Sequence, residues 1–182
     1  MSSTVADAIA GDEAAFTQLV ALHDDDLVRV AYLVTGDVTL ARDAAQSAWA
    51  LAWRRLGGLR DHERIRPWLV AITVNEARQF LRRRRRTAIR EIAVSVFDDE
   101  LAGPRVVGRS SAGPEDAVRS LDLAGALRRL SEEDRAMVAM RYAIGLTSEE
   151  IGVALRMPPG TVRSRLARSR AQLRKDLGDA YA

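Results

Sequence analysis

Cysteine is absent from this 182-residue chain. That excludes disulfides, thiolate metal sites and cysteine nucleophiles together, and it fits a reducing cytoplasm as the working compartment. Lysine is nearly absent too: Lys175 is the single exception among 28 cationic residues, the rest being arginine. Aromatics make up only 5% of the chain, a poor supply for a ligand pocket. Histidine occurs twice, at His23 and His62, too far apart in sequence to suggest a metal site, so no metal is expected. No window approaches the ~18 consecutive apolar residues of a membrane span. The stretch from Met1 to Phe16 lacks the basic start and apolar core of a signal peptide, so membrane insertion is not expected. No phosphate-cradling glycine loop and no nucleophile motif is present, so neither a cofactor nor catalysis is expected. What is present is 47% apolar and 29% charged residues, enough for one or two soluble, globular units.

Net charge is only +3, but it is unevenly spread. Residues 1–86 hold 13 basic and 11 acidic side chains, residues 87–118 hold 3 and 6, and residues 119–182 hold 12 and 8. Two runs are purely cationic. Residues 82–86 are five consecutive arginines, and residues 156–175 carry seven cations and no acid. Such stripes are the electrostatic footprint of phosphate binding. A solvated face is the competing reading, and two separate runs in one small chain favour nucleic acid over it.

The apolar pattern is helical nearly throughout. Phe16, Leu19, Val20, His23, Leu27, Val30 and Ala31 recur at steps of three and four. A turn at Gly36-Asp37 precedes an alanine-rich helical run over about 40–56, which carries Trp49 and Trp53 and stops at Gly57-Gly58. Residues 59–66 form a polar loop, and Pro67 is expected to open the next helix. Leu69, Ile72, Thr73 and Phe80 share one side of that helix, with Glu76 among them unexplained. Residues 87–118 read as a linker, punctuated by Gly103-Pro104 and Gly113-Pro114, with Val94, Val96, Phe97, Val106 and Val107 apolar enough to dock. Beyond it, Leu123, Leu127 and Leu130 form a stripe. Ser131 begins S-E-E-D, a helix cap with acids where the helix dipole favours them. Thr147 and Glu150 make a T-x-x-E capping box for a short helix carrying Ile151, Ala154 and Leu155. Met157-Pro158-Pro159-Gly160 breaks it, and Thr161 is expected to start the last helix. No alternating stretch is long enough for a sheet.

A short helix, a tight turn and a second helix form the helix-turn-helix pattern. On a helical wheel, Val162, Leu166, Ser169 and Leu173 gather on one side of the second helix. Arg163, Ser164, Ala167, Arg168 and Ala171 occupy the opposite side, flanked by Arg165 and Arg170. Small residues between arginines suit the DNA major groove, about 12 Å wide. Arginine can grip guanine through two hydrogen bonds, and flanking arginines can bind phosphates.

These segments resemble bacterial RNA polymerase sigma factors of the extracytoplasmic-function (ECF) type. "LTSEEIGVALRMPPGTVRSRLARSRAQLR" is similar to their promoter-binding carboxy-terminal domain, with Gly160, Thr161, Val162, Arg163, Ser164, Arg165 and Leu166 matching at every motif position. "RPWLVAITVNEARQFLRRRRR" resembles the helix of their first domain, through Trp68, Leu69, Ile72 and Asn75. "RDAAQSAWALAW" resembles their core-polymerase-binding segment, through Asp43, Ala44, Gln46 and Trp49. Arg42 and Ser47 depart from it where acids are common, and Gln79 stands where Asp is common.

The resemblance implies an all-α chain of two small helical bundles joined by a linker, the second carrying the helix-turn-helix. It divides as 1–86 for core polymerase and the −10 element, 87–118 for the linker, and 119–182 for the −35 element. Arg163, Ser164, Arg165, Ala167 and Arg168 would read the −35 duplex. The loop with Arg60, Asp61 and His62 would capture a base flipped from the melted −10 element, and Asn75, Arg78 and Arg82 would support that strand. Unstacking a base costs a few kcal/mol, so a polar pocket beside a cationic track is required. Asp43, Gln46, Trp49 and Trp53 would meet core RNA polymerase. Promoter DNA and an anti-sigma factor are the other implied partners, and no reaction is catalysed by the chain.

Several residues also carry plainer readings. Trp49 and Trp53 are more often core or helix-pairing side chains than partner contacts. Trp68 reads as a packing anchor and His23 as a structural histidine. His62, flanked by Asp61 and Glu63, suits a base contact or loop solvation equally. An effector-responsive helix-turn-helix regulator is the alternative function, against which the polymerase-like segment and the arginine run count. A nucleic-acid enzyme would need clustered carboxylates. Asp24-Asp25-Asp26 is the single candidate, and it reads as a solvated turn or helix end.

Overall fold

A computed structural model describes residues 2–94 and 114–178. Every regular element among them is helical. α1 (Ser2–Ile9) leads into α2 (Glu13–Thr35), whose start is fixed by Asp12: its carboxylate accepts the amides of Ala14 and Ala15. Gly36 ends α2 in the left-handed region at φ 69°, where its N–H closes on the Tyr32 carbonyl. Asp37 then caps α3 (Val38–Arg55) through the amides of Thr39 and Leu40. After short 3-10 turns at Leu56–Gly58 and His62–Arg64, α4 runs Ile65–Val94. The second half comprises α5 (Pro114–Arg129), α6 (Glu132–Val138), a π-type turn at Ala139–Ala143, α7 (Ser148–Leu155) and α8 (Pro159–Leu177).

The first bundle packs α1–α4 around Leu19, Leu27, Val30 and Val34 of α2 and Leu69, Val70 and Val74 of α4, all buried. α3 contributes Ala41, Ala44, Ala45, Ala48 and Ala52 to this core, small side chains that let its neighbours approach closely. The second bundle closes over Met137, Met140, Ile151, Val162 and Leu166. The two are not separated in this arrangement: α4 lies against α7, and α2 against α6 and the π-type turn. Their buried residues form one continuous cluster.

Several expectations change. α1 lies ahead of the first apolar stripe read from the sequence and buries Val5 and Ala8. α4 starts at Ile65, so Pro67 sits inside its first turn; this costs no hydrogen bond, because the first four amides of a helix have no intrahelical acceptor. α8 likewise starts at Pro159, with Pro158 as its cap, ahead of Thr161. Leu123 is 42% exposed; Ala126 is buried with Leu127 and Leu130 instead. α4 extends to Val94 and α5 begins at Pro114, both inside the span read as linker, while Val96, Phe97, Gly103-Pro104, Val106, Val107 and Gly113 lie outside the described residues. The three aspartates at 24–26 occupy the interior of α2, not a turn or helix end. Asp24 accepts the indole N–H of Trp49 at 2.8 Å, and Asp26 pairs with Arg66 at 2.8 Å.

Candidate nucleic-acid interface

The two halves of the helix-turn-helix are locked by local chemistry. Thr147 and Glu150 cap each other reciprocally at the start of α7. The turn after α7 is closed by Arg156 in the left-handed region, φ 56°, and the Met157 amide donates to the Gly152 carbonyl at 2.9 Å. Gly152 is required there: a Cβ would lie 2.7 Å from the Met157 carbonyl oxygen. α8 then presents the two sides read from its sequence. Val162, Leu166 and Ser169 are buried, and Leu173 packs partly against the core. Arg163, Ser164, Ala167, Arg168, Arg170 and Ala171 are exposed on the outer side.

Arg165 differs from its neighbours. Its side chain is only 21% exposed, and it grips Glu133 at 2.7 Å and Asp134 at 2.9 Å, the acids in the first turn of α6. These bonds hold the guanidinium more firmly charged than usual, the one from Asp134 most. The Glu133 carboxyl is lowered chiefly by the bond from Arg165, with Arg78 adding to it and burial opposing. For Asp134 burial pushes the carboxyl up, but the bonds from Arg165 and Ser131 outweigh it and the net direction is down. By contrast, Arg163 meets only the well-exposed Glu149, at 3.1 Å, a contact of the kind that contributes little.

The second basic region begins at residues 56–66. Asp61 caps the His62–Arg64 turn by accepting the Glu63 amide, and Arg64 pairs with Asp61 at 3.3 Å. Arg60 and Asp61 are exposed, and His62 is half-buried. A cavity of about 460 Å³ brings Arg60, Asp61, Trp68 and Asn75 to one wall, opposite Val153, Ala154 and Arg156. His62 does not line it. A neighbouring cleft of about 780 Å³ gathers Arg54, Arg55, Arg78, Arg82, Arg83 and Arg156 around Glu76 and Glu133. Glu76 thereby finds its account: it faces a cluster of arginines rather than the core. Gln79 accepts from Arg83 at 3.3 Å, and that guanidinium also lies 5.7 Å from the Phe80 ring centre. Arg84 bonds Asp37 at 2.8 Å. The Asp37 carboxyl is lowered, first by the Leu40 amide and further by Arg84.

On α3, Asp43, Gln46 and Trp53 are exposed. Trp49 is turned inward, edge-on to Phe16 with ring centres 5.6 Å apart. Trp53 also touches Phe16, at 4.8 Å, while remaining 38% exposed. His23 is buried beneath Asp26 and Arg66, and its imidazole is lowered by desolvation above all. Among the described residues no group of three or more His, Asp or Glu side chains could hold a metal ion, and no helix is long and apolar enough to cross a membrane. Sequence reasoning read Glu132, Glu133 and Asp134 as cap and dipole residues alone; their arginine partners lie 31 to 55 residues away, beyond any local pattern.

This combination of an arginine-faced helix-turn-helix and a second basic bundle agrees with what is found among known proteins. The sigma-70 region 2 family matches residues 19–87, and the sigma-70 region 4 family matches residues 120–173. The ECF RNA polymerase sigma factor SigM of Mycobacterium tuberculosis is 36% identical over 176 residues, covering 93% of this chain and 81% of its own length. The ECF sigma factor SigW of Bacillus subtilis is 29% identical over 173 residues, covering 93% and 92%. CnrH, solved with the cytosolic domain of CnrY, shares the fold with a TM-score of 0.71 at 24% identity, over 100% of this chain and 98% of that one. RpoE of Bartonella quintana, solved with the anti-sigma factor NepR, gives 0.70 at 24% identity over 89% and 96%. With both regions present, in order, and relatives aligned nearly end to end, the chain belongs to the sigma-70 family of RNA polymerase sigma factors, in its extracytoplasmic-function branch, the initiation factors that direct polymerase to promoters.

Proposed function

We propose that this chain binds core RNA polymerase through α3 and reads two promoter elements with its two basic surfaces, catalysing no reaction itself. The residues divide into 1–86, which meets polymerase and the −10 element, a connecting segment over 87–118, and 119–182, which meets the −35 element. On α8, Arg163, Ser164, Ala167 and Arg168 face the major groove, with Arg165 at the flank. Arg60, Asp61 and His62 with Asn75, Arg78 and Arg82 receive the melted −10 strand. Asp43, Gln46 and Trp53 present the polymerase contact, and Trp49 supports it from beneath. The cytoplasm is the compartment where these partners meet. An anti-sigma factor is a further partner, a reading supported by the NepR-bound relative.

The observation that carries this reading is the two-sidedness of α8. Its apolar residues are buried, while Arg163 and Arg168 stand exposed beside the small, equally exposed Ser164 and Ala167. A helix with that outer profile fits a groove about 12 Å wide without steric conflict. The test is reconstitution with bacterial core polymerase on a promoter library. Specific run-off transcripts are expected. Duplex binding that needs no polymerase and yields no transcript would refute the assignment.

A further inference from the structure

Arg135 of α6 is a buried cation to which promoter reading gives no task. It is 7% exposed, and its Nε–H has no acceptor among the described residues. Its guanidinium is lowered chiefly by burial; Glu132 opposes this, and Arg85 and Arg128 add to it. A cation taken out of water without hydrogen bonds is costly, so the surroundings of this one decide what it can hold. Arg135 lines a cavity of about 580 Å³ together with Arg78 and Arg85 of α4, Arg128 of α5 and Arg165 of α8. The acids on that wall are Glu132 and Glu133. Both are already engaged, Glu133 by Arg78 and Arg165, and Glu132 by Arg85. Arg128 and Arg135 are left without an acid on this wall.

Two more buried atoms narrow the choice of ligand. Arg78 Nε is a second guanidinium N–H without an acceptor among the described residues. Glu132 Oε1 is an acceptor without a hydrogen-bond donor: Arg85 lies 3.0 Å from it but is not aligned for a hydrogen bond. The cavity therefore presents N–H donors and one carboxylate acceptor together. Sulfate can only accept, whereas a hydrogen phosphate group accepts through its bare oxygens and donates through its P–OH. We propose that this cavity binds the protonated phosphoryl group of a small molecule, either free hydrogen phosphate or a phosphomonoester, with oxygens on Arg135 and Arg78 and the P–OH on Glu132. Bonds between guanidinium and phosphate are charge-assisted and strong, and the exposed Arg85 and Arg128 add positive charge at the rim. A nucleic-acid backbone does not meet these terms. Its phosphodiester has no P–OH to give, so Glu132 repels it, and Arg135 lies too deep for a duplex to reach. No aromatic side chain lines the cavity, so the phosphoryl group, not a stacked base, is what is recognised. The site needs neither polymerase nor promoter, although Arg78 and Arg165 are shared with the DNA surfaces proposed above.

Titration calorimetry on the full chain, at fixed ionic strength, compares inorganic phosphate, ribose 5-phosphate and sulfate. Phosphate is expected to bind a single site at least about tenfold more tightly than sulfate, which would leave the buried carboxylate facing a bare oxygen. At about ten times its Kd, phosphate should raise Tm by about 3–6 °C. Glu132→Gln places an N–H donor where the acceptor stood and should cut the preference for phosphate over sulfate to about threefold or less. Arg135→Met removes the buried charge at similar length. It should abolish phosphate binding without lowering Tm in phosphate-free buffer, because replacing a buried, unpaired cation by an apolar side chain is neutral or stabilising. Equal affinity for phosphate and sulfate in the wild type overturns the site, since a diffuse cationic surface behaves in that way. So does phosphate affinity unchanged in Arg135→Met, above all with a lowered Tm, which marks a purely structural arginine. Where Arg135→Met does not fold, the wild-type preference and its loss in Glu132→Gln decide the matter. Ribose 5-phosphate binding as tightly as phosphate assigns the site to phosphomonoesters, and much weaker binding assigns it to the free ion; both results support it.

Discussion

Arg165→Ala and Arg168→Ala are expected to fail in opposite ways, although both arginines lie on α8 three residues apart. The Arg165 side chain is 21% exposed and makes two charge-assisted bonds, 2.7 Å to Glu133 and 2.9 Å to Asp134. Hydrogen bonds to charged partners contribute about 1.5–3 kcal/mol where they are shielded. Here the acids keep other partners after the change, since Arg78 still reaches Glu133 and Ser131 still reaches Asp134. No charge is left stranded, so the low end applies, and the loss of stability is about 1.5–2 kcal/mol after allowance for solvent screening. With a urea slope on the order of 2 kcal/mol/M, the unfolding midpoint falls by about 0.8–1 M. Arg168 is exposed, and its truncation leaves the stability within about 0.5 kcal/mol of wild type. In promoter binding the order reverses: Arg168→Ala relaxes −35 discrimination by about 1–3 kcal/mol, while Arg165→Ala lowers affinity without changing base preference. Urea unfolding followed by circular dichroism, paired with binding to a panel of single-base-changed −35 duplexes, reads both axes. A stable Arg165→Ala protein with altered base preference would refute the assignment of that arginine to the α6 acids.

Protonation of His23 gives a second test. Desolvation is the main cause of its lowered imidazole, with Arg66 adding to it and Asp26 opposing. The folded state therefore takes up its proton at lower pH than the unfolded chain does, near 6.5. Stability is full above about pH 6.5 and falls as pH drops below it toward the folded value. Melting temperatures between about pH 7.5 and 5.5 should decline for the wild type and flatten in His23→Gln; parallel curves would exclude His23 as the cause. Gly152→Ala places a methyl 2.7 Å from the Met157 carbonyl oxygen and should cost about 1–3 kcal/mol, with loss of duplex binding; an unshifted melt and intact binding would show that the turn relaxes freely. Asp24→Ala leaves the nearly buried Trp49 indole N–H without its acceptor and should cost about 1–2 kcal/mol, with Asp24→Asn restoring most of it; tryptophan fluorescence during unfolding reports the change, and equal losses in both variants would point away from the hydrogen bond.

What the sequence made legible is local. The Thr147–Glu150 box, the Ser131 cap and the buried stripe of α8 are each written within a few residues, because caps and helical faces depend on spacings of three and four. What it hid depends on partners far along the chain. Asp24 and Asp26 look like a solvated acidic run until Trp49 and Arg66 arrive from α3 and α4. Leu123 fits a heptad-like stripe but is exposed, because Ala126 takes the inner position on α5. α1 packs Val5, Ala8 and Ile9 on the core, but its eight residues are shorter than the stretch of about eleven or more over which helical periodicity is legible. The same division holds at the site. The outer residues of α8 were readable, whereas the capture of Arg165 by α6 was not, since a wheel gives direction but not the neighbour waiting there.

That distinction bears on how arginine runs should be read in a chain nearly devoid of lysine. The arginines of α4 and α8 look alike in sequence, yet at least three kinds are found among them here. Arg84 and Arg85 tie α4 to Asp37 and Glu132. Arg78 and Arg165 share Glu133 across the bundle boundary. Arg82 and Arg168 make no ion pair among the described residues and are exposed. Only the last kind can offer phosphate or base contacts without first giving up an internal partner. Arg82 and Arg168 should therefore dominate the first, salt-sensitive encounter with DNA, and Arg78 and Arg165 should contribute only after giving up their acid partners. Two-stage binding follows directly. The fast phase should lose amplitude in Arg82→Ala or Arg168→Ala, and the slow phase should shorten in Glu133→Gln, where Arg78 loses its internal acid and Arg165 keeps only Asp134.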